Sequence, residues 1–341
     1  ATCKMKGLFA KKPMKLLQRE AQEQGARSLR RVLGPVALVA MGVGVVVGAG
    51  LFSITGLVAA NYSGPAITLS FLIAAVCCCF AGLCYAEFAS MIPVAGSAYT
   101  YSYATMGELV AWIIGWDLVL EYSVAASMLS ISWSRYAVRL LQDVGFQPAQ
   151  AWTACPWDGG VANLPAALIV ILMSLFVIRG TRQSAVFNAF IVCLKIGVIL
   201  LFVVLGWRYI NTDNFHPYIP QNTGRFGEFG WSGVLRGAAI VFFAFLGFDS
   251  VSTMAQETHN PRRNMPLGIL GSLAVVLVLY LAFSFVMTGV ANYRLFGGQD
   301  GLAPVAVAIG QMGEAGPDGV VVPAYPWLNK AILLAILLGY C

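Results

Sequence analysis

Four ionisable residues interrupt long apolar stretches of this sequence and could carry chemistry there. Lys195 lies near the middle of FNAFIVCLKIGVILLF, and Asp249 lies inside IVFFAFLGFDSVSTMAQE. Asp117 and Glu121 are spaced i and i+4, which places both carboxylates on one face of a helix. Because charges are costly in an apolar medium, residues of this kind mark proton relays, ion pairs or ligand sites.

The lysine among these residues has three interpretations. Lys195 could be a proton carrier, a fixed cation that braces a broken helix, or a structural lysine paired with a carboxylate. Glu121 is the deeper of the two carboxylates on its helix and is a predicted partner for Lys195. Asp249 and Glu121 are each also predicted to act as the carboxylate member of an ion pair or as a gate residue. For Glu87 and Glu257, an interfacial ion pair is as good an interpretation as a direct role.

A second signal is the concentration of glycine in the apolar stretch AMGVGVVVGAGLFSITG, residues 40–56. A dinucleotide-binding G-x-G-x-x-G loop is excluded, because the spacing from Gly44 to Gly48 is one residue too long and no βαβ pattern surrounds it. The pair Gly44 and Gly48 could form a helix-packing face. Five glycines exceed that need, and each weakens a helix by about 1 kcal/mol relative to alanine. The excess favours a helix that is broken to expose backbone N–H groups to an anionic ligand group.

Membrane helices must position these residues, because the chain is 59% hydrophobic and only 11% charged, against about 25% charged in soluble domains. Apolar runs long enough for a ~30 Å hydrocarbon layer predict spans 1 to 8, in chain order, at 35–60, 65–91, 107–134, 164–179, 184–206, 232–255, 265–290 and 327–341. The sequence ends within span 8. The predicted fold class is therefore an all-α polytopic membrane protein.

Span 6 has a predicted break of its own, with Gly247 and Asp249 in its interior. Transporters often break helices at corresponding positions of two repeats. Span 6 comes five spans after span 1, an odd number, so a second repeat that starts at span 6 would be inverted. The aromatic cluster Phe242, Phe243, Phe245 and Phe248 is predicted to pack, with one ring as a possible gate.

Lys and Arg residues set the predicted orientation, because positive loops stay in the cytoplasm. Much of the basic charge precedes span 1, while Arg179 and Arg182 follow span 4 and Arg262 and Arg263 follow span 6. All three positions fall on one side if every span crosses. The N-terminus is therefore predicted to be cytoplasmic in a multi-pass protein of the plasma membrane.

This orientation gives two predicted segments, a cytoplasmic tail at 1–31 and a transmembrane domain at 32–341. Arg135 and Arg139 are predicted to lie just past span 3, where their side chains snorkel to the outer interface. The net charge of +6 follows from the asymmetry, and no nucleic-acid motif accompanies it. The bilayer is the predicted partner, with anionic lipid headgroups near the basic tail.

Other chemistry has little support in the sequence. The cysteines match neither a disulfide framework nor a zinc site, and those in the spans act as small apolar residues: Cys77, Cys78, Cys79, Cys84 and Cys193. No HExxH, G-x-S-x-G or paired histidine occurs, and His216 and His259 fall in loops. The sequence therefore predicts no catalytic residue, no metal site and no cofactor.

Three motifs also carry a family resemblance. GVGVVVGAGLF resembles the first-helix motif of the amino acid–polyamine–organocation superfamily. AEFASMIPVAGSAYTYSYATMGELVAWIIGWDLVLEYSVAA and FFAFLGFDSVSTMAQETHNPRRNMPLGI are similar to its cationic amino acid transporter branch. The resemblance runs from about Leu29 to the end of the sequence. It implies a LeuT-like fold of two inverted five-helix repeats with spans 1 and 6 broken. The family has further helices after span 8, where this sequence ends.

The resemblance also implies secondary transport of amino acids by alternating access. The substrate carboxylate would bind backbone N–H groups of Val46, Ala49 and Gly50, with Gly48 at the break. The substrate amino group would bind the backbone of Phe243, Ala244 and Leu246. A span 5 lysine replaces the sodium site in proton-coupled members, so Lys195 is the predicted coupling residue and the proton the coupling ion.

An amino-acid-gated sensor or channel on the same scaffold is the alternative function. Tracer counterflow separates the two, since a carrier shows it and a simple channel does not. Cationic and neutral amino acids both remain candidate substrates, and a small accessory membrane subunit remains open.

Overall fold

The computed structural model describes residues 7, 9–13, 16, 31–48, 50–178, 181–297, 303–315, 321–324 and 326–340. Its α-helices there are α1 (Pro35–Val46), α2 (Thr55–Val58), α3 (Ile67–Met91), α4 (Ser97–Thr105), α5 (Glu108–Asp143), α6 (Leu164–Ile178), α7 (Thr181–Gly206), α8 (Gly230–Val241), α9 (Pro261–Val290), α10 (Pro304–Gly310) and α11 (Pro326–Gly339). Two short antiparallel strands, β1 (Gly313–Ala315) and β2 (Val321–Pro323), pair with each other. The helical class predicted from the sequence is confirmed, with this small strand pair added.

The helical segments account for the predicted spans. Five are long and apolar enough to cross a membrane by length and composition, at Gly50–Met91, Glu108–Asp143, Ala189–Tyr209, Gly230–Glu257 and Pro261–Val290. Shorter apolar helices lie at Pro35–Val46, Leu164–Ile178 and Leu328–Gly339. Gly64, with a φ of +60° that glycine tolerates, turns the chain between the second part of span 1 and α3.

The first span is broken where its glycines predict. Helix α1 ends at Val46, and the chain bends through Val47 and Gly48 before a π-helical turn at Gly50–Ile54. Ala49 lies outside the described residues. The Gly48 carbonyl accepts hydrogen bonds from the next turn, from Leu51 N at 3.1 Å and Phe52 N at 3.2 Å. The bend therefore keeps part of its backbone paired.

The sixth span is broken as well. Helix α8 ends at Val241, and a 3₁₀ turn at Phe242–Phe245 follows it. Gly247 then has a φ of +100°, a conformation that favours glycine. The chain continues as a 3₁₀ helix at Phe248–Glu257. The predicted break at Gly247 is confirmed.

Helix α5 differs from the prediction for span 3. It continues to Asp143 instead of ending near residue 134, so the placement of Arg135 and Arg139 beyond the helix was wrong. The apolar pattern stops at these arginines, but ion pairs support them: Arg135 contacts Asp158 at 2.6 Å and Arg139 contacts Asp143 at 3.8 Å. Charge thus ended the apolar run without ending the helix.

Three further elements occupy stretches predicted as connections. Helix α4 has the sequence SAYTYSYAT, in which polar and aromatic residues alternate without an apolar helical stripe. Helix α10 and the strand pair lie in the long connection before α11. None of them has the length or hydrophobicity of a membrane span.

The chain divides into two compact units. Unit 1 comprises Ala1–Val46, Val76–Ala125 and Leu246–Val276, and unit 2 comprises Val47–Ala75, Ala126–Phe245 and Leu277–Cys341. Two of the boundaries, after Val46 and after Phe245, coincide with the breaks of spans 1 and 6. Each unit therefore contains one half of each broken span.

Glycines allow close helix packing within unit 1. A Cβ atom added to Gly42 on α1 would lie 2.6 Å from Ser272 Cβ on α9 and 2.9 Å from Val251 Cγ2. One added to Gly268 on α9 would lie 2.7 Å from Leu38 Cβ. Helices α1 and α9 thus approach so closely that an added side chain would clash at these glycines. Part of the glycine-rich stretch therefore has a packing role in addition to forming the break.

We expect Gly42→Ala to lower the thermal stability of the protein in detergent, because overpacking a core costs about 1–3 kcal/mol. The control is Gly197→Ala on α7, where an added Cβ meets nothing within 4 Å and alanine gains about 1 kcal/mol of helix propensity. Thermal unfolding of both variants measures the difference. Equal shifts would contradict the close packing of α1.

Candidate functional site

The two breaks contact each other inside unit 2. A Cβ atom added to Gly50 would lie 2.3 Å from the Cα and 2.5 Å from the Cβ of Ala244. No side chain larger than hydrogen fits at Gly50 without movement of the backbone. Two of the residues predicted to form the site are therefore neighbours.

A matching contact occurs inside unit 1. A Cβ atom added to Gly247 would lie 2.8 Å from Val45 Cγ1. Val45 and Gly247 are the chain neighbours of Val46 and Leu246, two further predicted site residues. Each unit contains one half of span 1 and one half of span 6. In each unit these two halves are in contact at the break.

Two buried tyrosines bind backbone carbonyls beside the breaks, both within unit 2. Tyr280 on α9 donates its hydroxyl to Ala244 O at 2.8 Å, and Tyr136 on α5 donates to Phe52 O at 2.5 Å. Both side chains are fully buried. A buried carbonyl without a partner costs free energy, so these hydroxyls stabilise the irregular backbone. Sequence reasoning missed both residues, since a tyrosine in an apolar run has no pattern that separates it from core packing.

The first turn after the span 1 break receives further side-chain contacts. Tyr340, directly after α11, forms a hydrogen bond with Ser53 at 2.9 Å, and its ring packs edge-on against Phe52. Thr55 donates to Leu51 O at 2.7 Å. Tyr340 was not predicted either, because a tyrosine in an apolar run has no pattern that separates it from core packing.

Lys195 lies in α7, half-buried, in unit 2. Its side chain runs beside α11, because a Cβ atom added to Gly339 would lie 3.2 Å from Lys195 Cγ. Glu121, its predicted partner, belongs to unit 1 and is half-buried on α5, while Asp117 on the same helix is exposed. The pairing of Lys195 with Glu121 stays a prediction.

Asp249 is the most deeply buried of the predicted carboxylates, with 5% of its surface exposed. Its Oδ2 atom accepts hydrogen bonds from Ser97 Oγ at 3.2 Å and from the Tyr122 hydroxyl at 3.3 Å. All three residues belong to unit 1. Ser97 begins α4 and Tyr122 follows Glu121 on α5, so both elements hold the carboxylate directly after the span 6 break.

The four phenylalanines at the span 6 break have different environments. Phe245 packs against Phe71 and Tyr280, and the buried Phe248 packs against Tyr85. Both are therefore core residues of their units. Phe242 is 45% exposed and Phe243 is half-buried, and a gate formed by one of the four rings stays a prediction.

Metal chemistry has no support in the described part of the chain, where no group of three or more His, Cys, Asp or Glu side chains could hold an ion. The cysteines described there, Cys77, Cys78, Cys79, Cys84, Cys155 and Cys193, are free thiols. The polar groups at the breaks are backbone amides, hydroxyls and carboxylates, which suit recognition of a small polar molecule.

Apolar helices broken within the span and in contact at their breaks are a feature of secondary transporters. A sequence model described as amino acid permease matches residues 33–322. The chain belongs to this family, which confirms the resemblance inferred from the three motifs. The family consists of permeases, so the prediction that the chain is not an enzyme is also confirmed.

Named relatives cover several substrates. The chain is 44% identical to the methylthioribose transporter and 42% identical to the branched-chain amino acid permease BcaP, both of Bacillus subtilis (strain 168), over 93% of this chain and 66% of each relative. It is 39% identical to human cationic amino acid transporter 4 over 76% of this chain and 41% of that protein. The chain thus spans just under two thirds of the length of the bacterial relatives.

We expect Tyr280→Phe to lower the free energy of unfolding by about 1–3 kcal/mol, because Ala244 O loses its buried donor. Tyr136→Phe has the same expected effect through Phe52 O. The control is Tyr99→Phe, since the Tyr99 side chain is 42% exposed. Chemical or thermal unfolding in detergent compares the three variants, and equal stability of all three would rule out a structural role for the two carbonyl bonds.

Proposed function

We propose that the full-length protein is a secondary active transporter of amino acids that works by alternating access and is coupled to protons. The observation that carries the proposal is the contact between the two broken spans, at Gly50 with Ala244 and at Val45 with Gly247. Broken helices near the middle of a membrane offer backbone groups to a polar substrate in an otherwise apolar layer. Membership of the amino acid permease family supports the same class of substrate.

In this proposal the α-carboxylate binds N–H groups at the start of the second half of span 1. Gly50 is better placed than Val46, because the last turn of a helix leaves carbonyl groups unpaired and the first turn leaves N–H groups unpaired. Ala49, the other proposed donor, lies outside the described residues. Gly48 forms the bend, and its carbonyl is already occupied by Leu51 N and Phe52 N.

The α-amino group in this proposal binds carbonyls at the span 6 break, those of Phe243, Ala244 and Leu246. Tyr280 already donates to Ala244 O, but a carbonyl oxygen has two lone pairs. The tyrosine would therefore hold the peptide group in a fixed orientation while the second lone pair meets the substrate ammonium.

Lys195 is the proposed coupling residue, and Asp249 and Glu121 are each a proposed carboxylate member of an ion pair or a gate residue. Lys195 lies on α7 beside α11, whereas the buried Asp249 follows the break of span 6 and is held by two hydroxyl donors. In a transporter, ionisable groups inside the apolar layer mark proton pathways. Protonation of one of these groups would change the net charge at a break.

Spans 1 to 5 and the spans from α8 onward would be the two inverted repeats of this fold. The basic residues favour a cytoplasmic N-terminus, and the proposed location is the plasma membrane. An amino-acid-gated sensor or channel on the same scaffold is the second candidate. It is favoured by the same contact between the two broken spans.

Tracer counterflow on the full-length protein in proteoliposomes separates the two candidates. We expect labelled substrate to enter vesicles preloaded with the same unlabelled compound, since a carrier exchanges substrate across the membrane. The panel is alanine, arginine, leucine and methylthioribose, because the relatives are named for different substrates. Entry that does not depend on preloading would indicate a channel, and no entry of any compound would contradict the proposal.

Lys195→Ala tests the coupling. A proton driving force of about 100 mV is worth 2.3 kcal/mol per charge and supports accumulation on the order of 50-fold. We expect the wild type to approach this ratio and the variant to equilibrate without accumulation while it retains counterflow. The control is Lys330→Ala, an exposed lysine on α11. Accumulation by the Lys195 variant equal to the control would overturn proton coupling through this residue.

A further inference from the structure

A short N-terminal segment lies against the helix that holds the buried carboxylate. This segment, residues 9–13, is called the strap. Lys12 N in the strap donates a hydrogen bond to Tyr103 O on α4 at 3.2 Å. A Cβ atom added to Gly107 would lie 2.7 Å from Phe9 O and 2.9 Å from Phe9 Cα. The strap therefore crosses the end of α4 in direct backbone contact.

Gly107 allows the strap to pass this close to the end of α4. Its φ of +105° is a conformation that favours glycine, and its N–H donates to Ser102 O at 3.1 Å as α4 ends. The residue is buried, although it lies in a turn. Because the strap backbone occupies the space of a side chain, no other residue type could both form the turn and accept the strap.

The beginning of α4 contacts the second half of span 6. Ser97, its first residue, donates to Asp249 Oδ2. Tyr101 stacks on Phe88 at 5.2 Å between ring centroids and packs edge-on against Tyr85, which in turn contacts Phe248. All these residues belong to unit 1. Helix α4 thus contacts the strap in its last turn and the Asp249 segment at its first residue.

We infer that the strap is an intramolecular brake that holds α4 against the Asp249 segment. The strap has the properties of a reversible contact: Phe9 is 68% exposed, and Lys12 and Tyr103, which share the backbone bond, are only half-buried. Segments with few buried apolar contacts open at low free energy. Release of the strap would free α4 to move and loosen the Ser97 bond to Asp249.

Two variants remove the strap contact in different ways. Gly107→Ala places a methyl group where the Phe9 backbone lies, and its control is Gly145→Ala, which has a similar φ of +95° but meets nothing within 4 Å. Lys12→Pro removes the N–H that donates to Tyr103 O, and its control is Lys12→Ala, which keeps that N–H. The second pair decides the test if Gly107→Ala does not fold.

Amide hydrogen exchange of the full-length protein measures the restraint on α4. We expect both strap variants to raise the exchange rate of residues 98–105 by at least about fivefold, because local opening sets that rate, with both controls near the wild type. Unchanged exchange in the strap variants would overturn the inference, as would an equal rise in the controls.

The effect on transport rests on the proposed function and is measured separately. We expect the strap variants to raise the initial rate of counterflow and the controls to leave it unchanged. Faster exchange of α4 with an unchanged counterflow rate would overturn the role as a brake. Failure of the wild type to show any counterflow would instead overturn the proposed function, while the exchange comparison would still decide whether the strap restrains α4.

Discussion

The structure depends on hydrogen-bond partners for the backbone N–H and C=O groups where two apolar helices break. Peptide groups in a membrane interior have no water to bind, so each break needs partners from the protein itself. At the span 1 break, Gly48 O accepts two N–H groups of the next turn and Tyr136 binds Phe52 O. At the span 6 break, Tyr280 binds Ala244 O. These contacts leave a small number of backbone groups to meet a ligand.

The same constraint explains the residue types around the breaks. Glycine is needed at position 50, where the backbone of Ala244 occupies the space of a side chain, and at position 247, where φ is positive. Asp249 follows immediately and is held by hydroxyl groups of Ser97 and Tyr122. The glycine of the span 6 break and the buried carboxylate are therefore only two residues apart in the chain.

The sequence predicted the two breaks because glycine clusters and a lone aspartate are exceptional inside apolar spans. The sequence also identified the ionisable side chains that lie inside apolar spans. It missed Tyr136, Tyr280 and Tyr340, since their role depends on which carbonyl or hydroxyl group lies opposite each tyrosine hydroxyl, and that follows from tertiary packing alone. It missed α4 because that helix has no apolar stripe, and it ended span 3 too early because hydrophobicity stops at Arg135 while the helix continues.

The length of α5 has a consequence for the outer surface of the protein. At 1.5 Å per residue, its 36 residues extend for roughly 54 Å, more than the ~40–45 Å of a bilayer with its headgroups. The helix must tilt strongly or project into water, and the Arg135–Asp158 ion pair fastens the following loop to its end. If α5 projects, its end and the loop held by Arg135 would offer a site against which an antibody fragment could be raised to add mass for imaging.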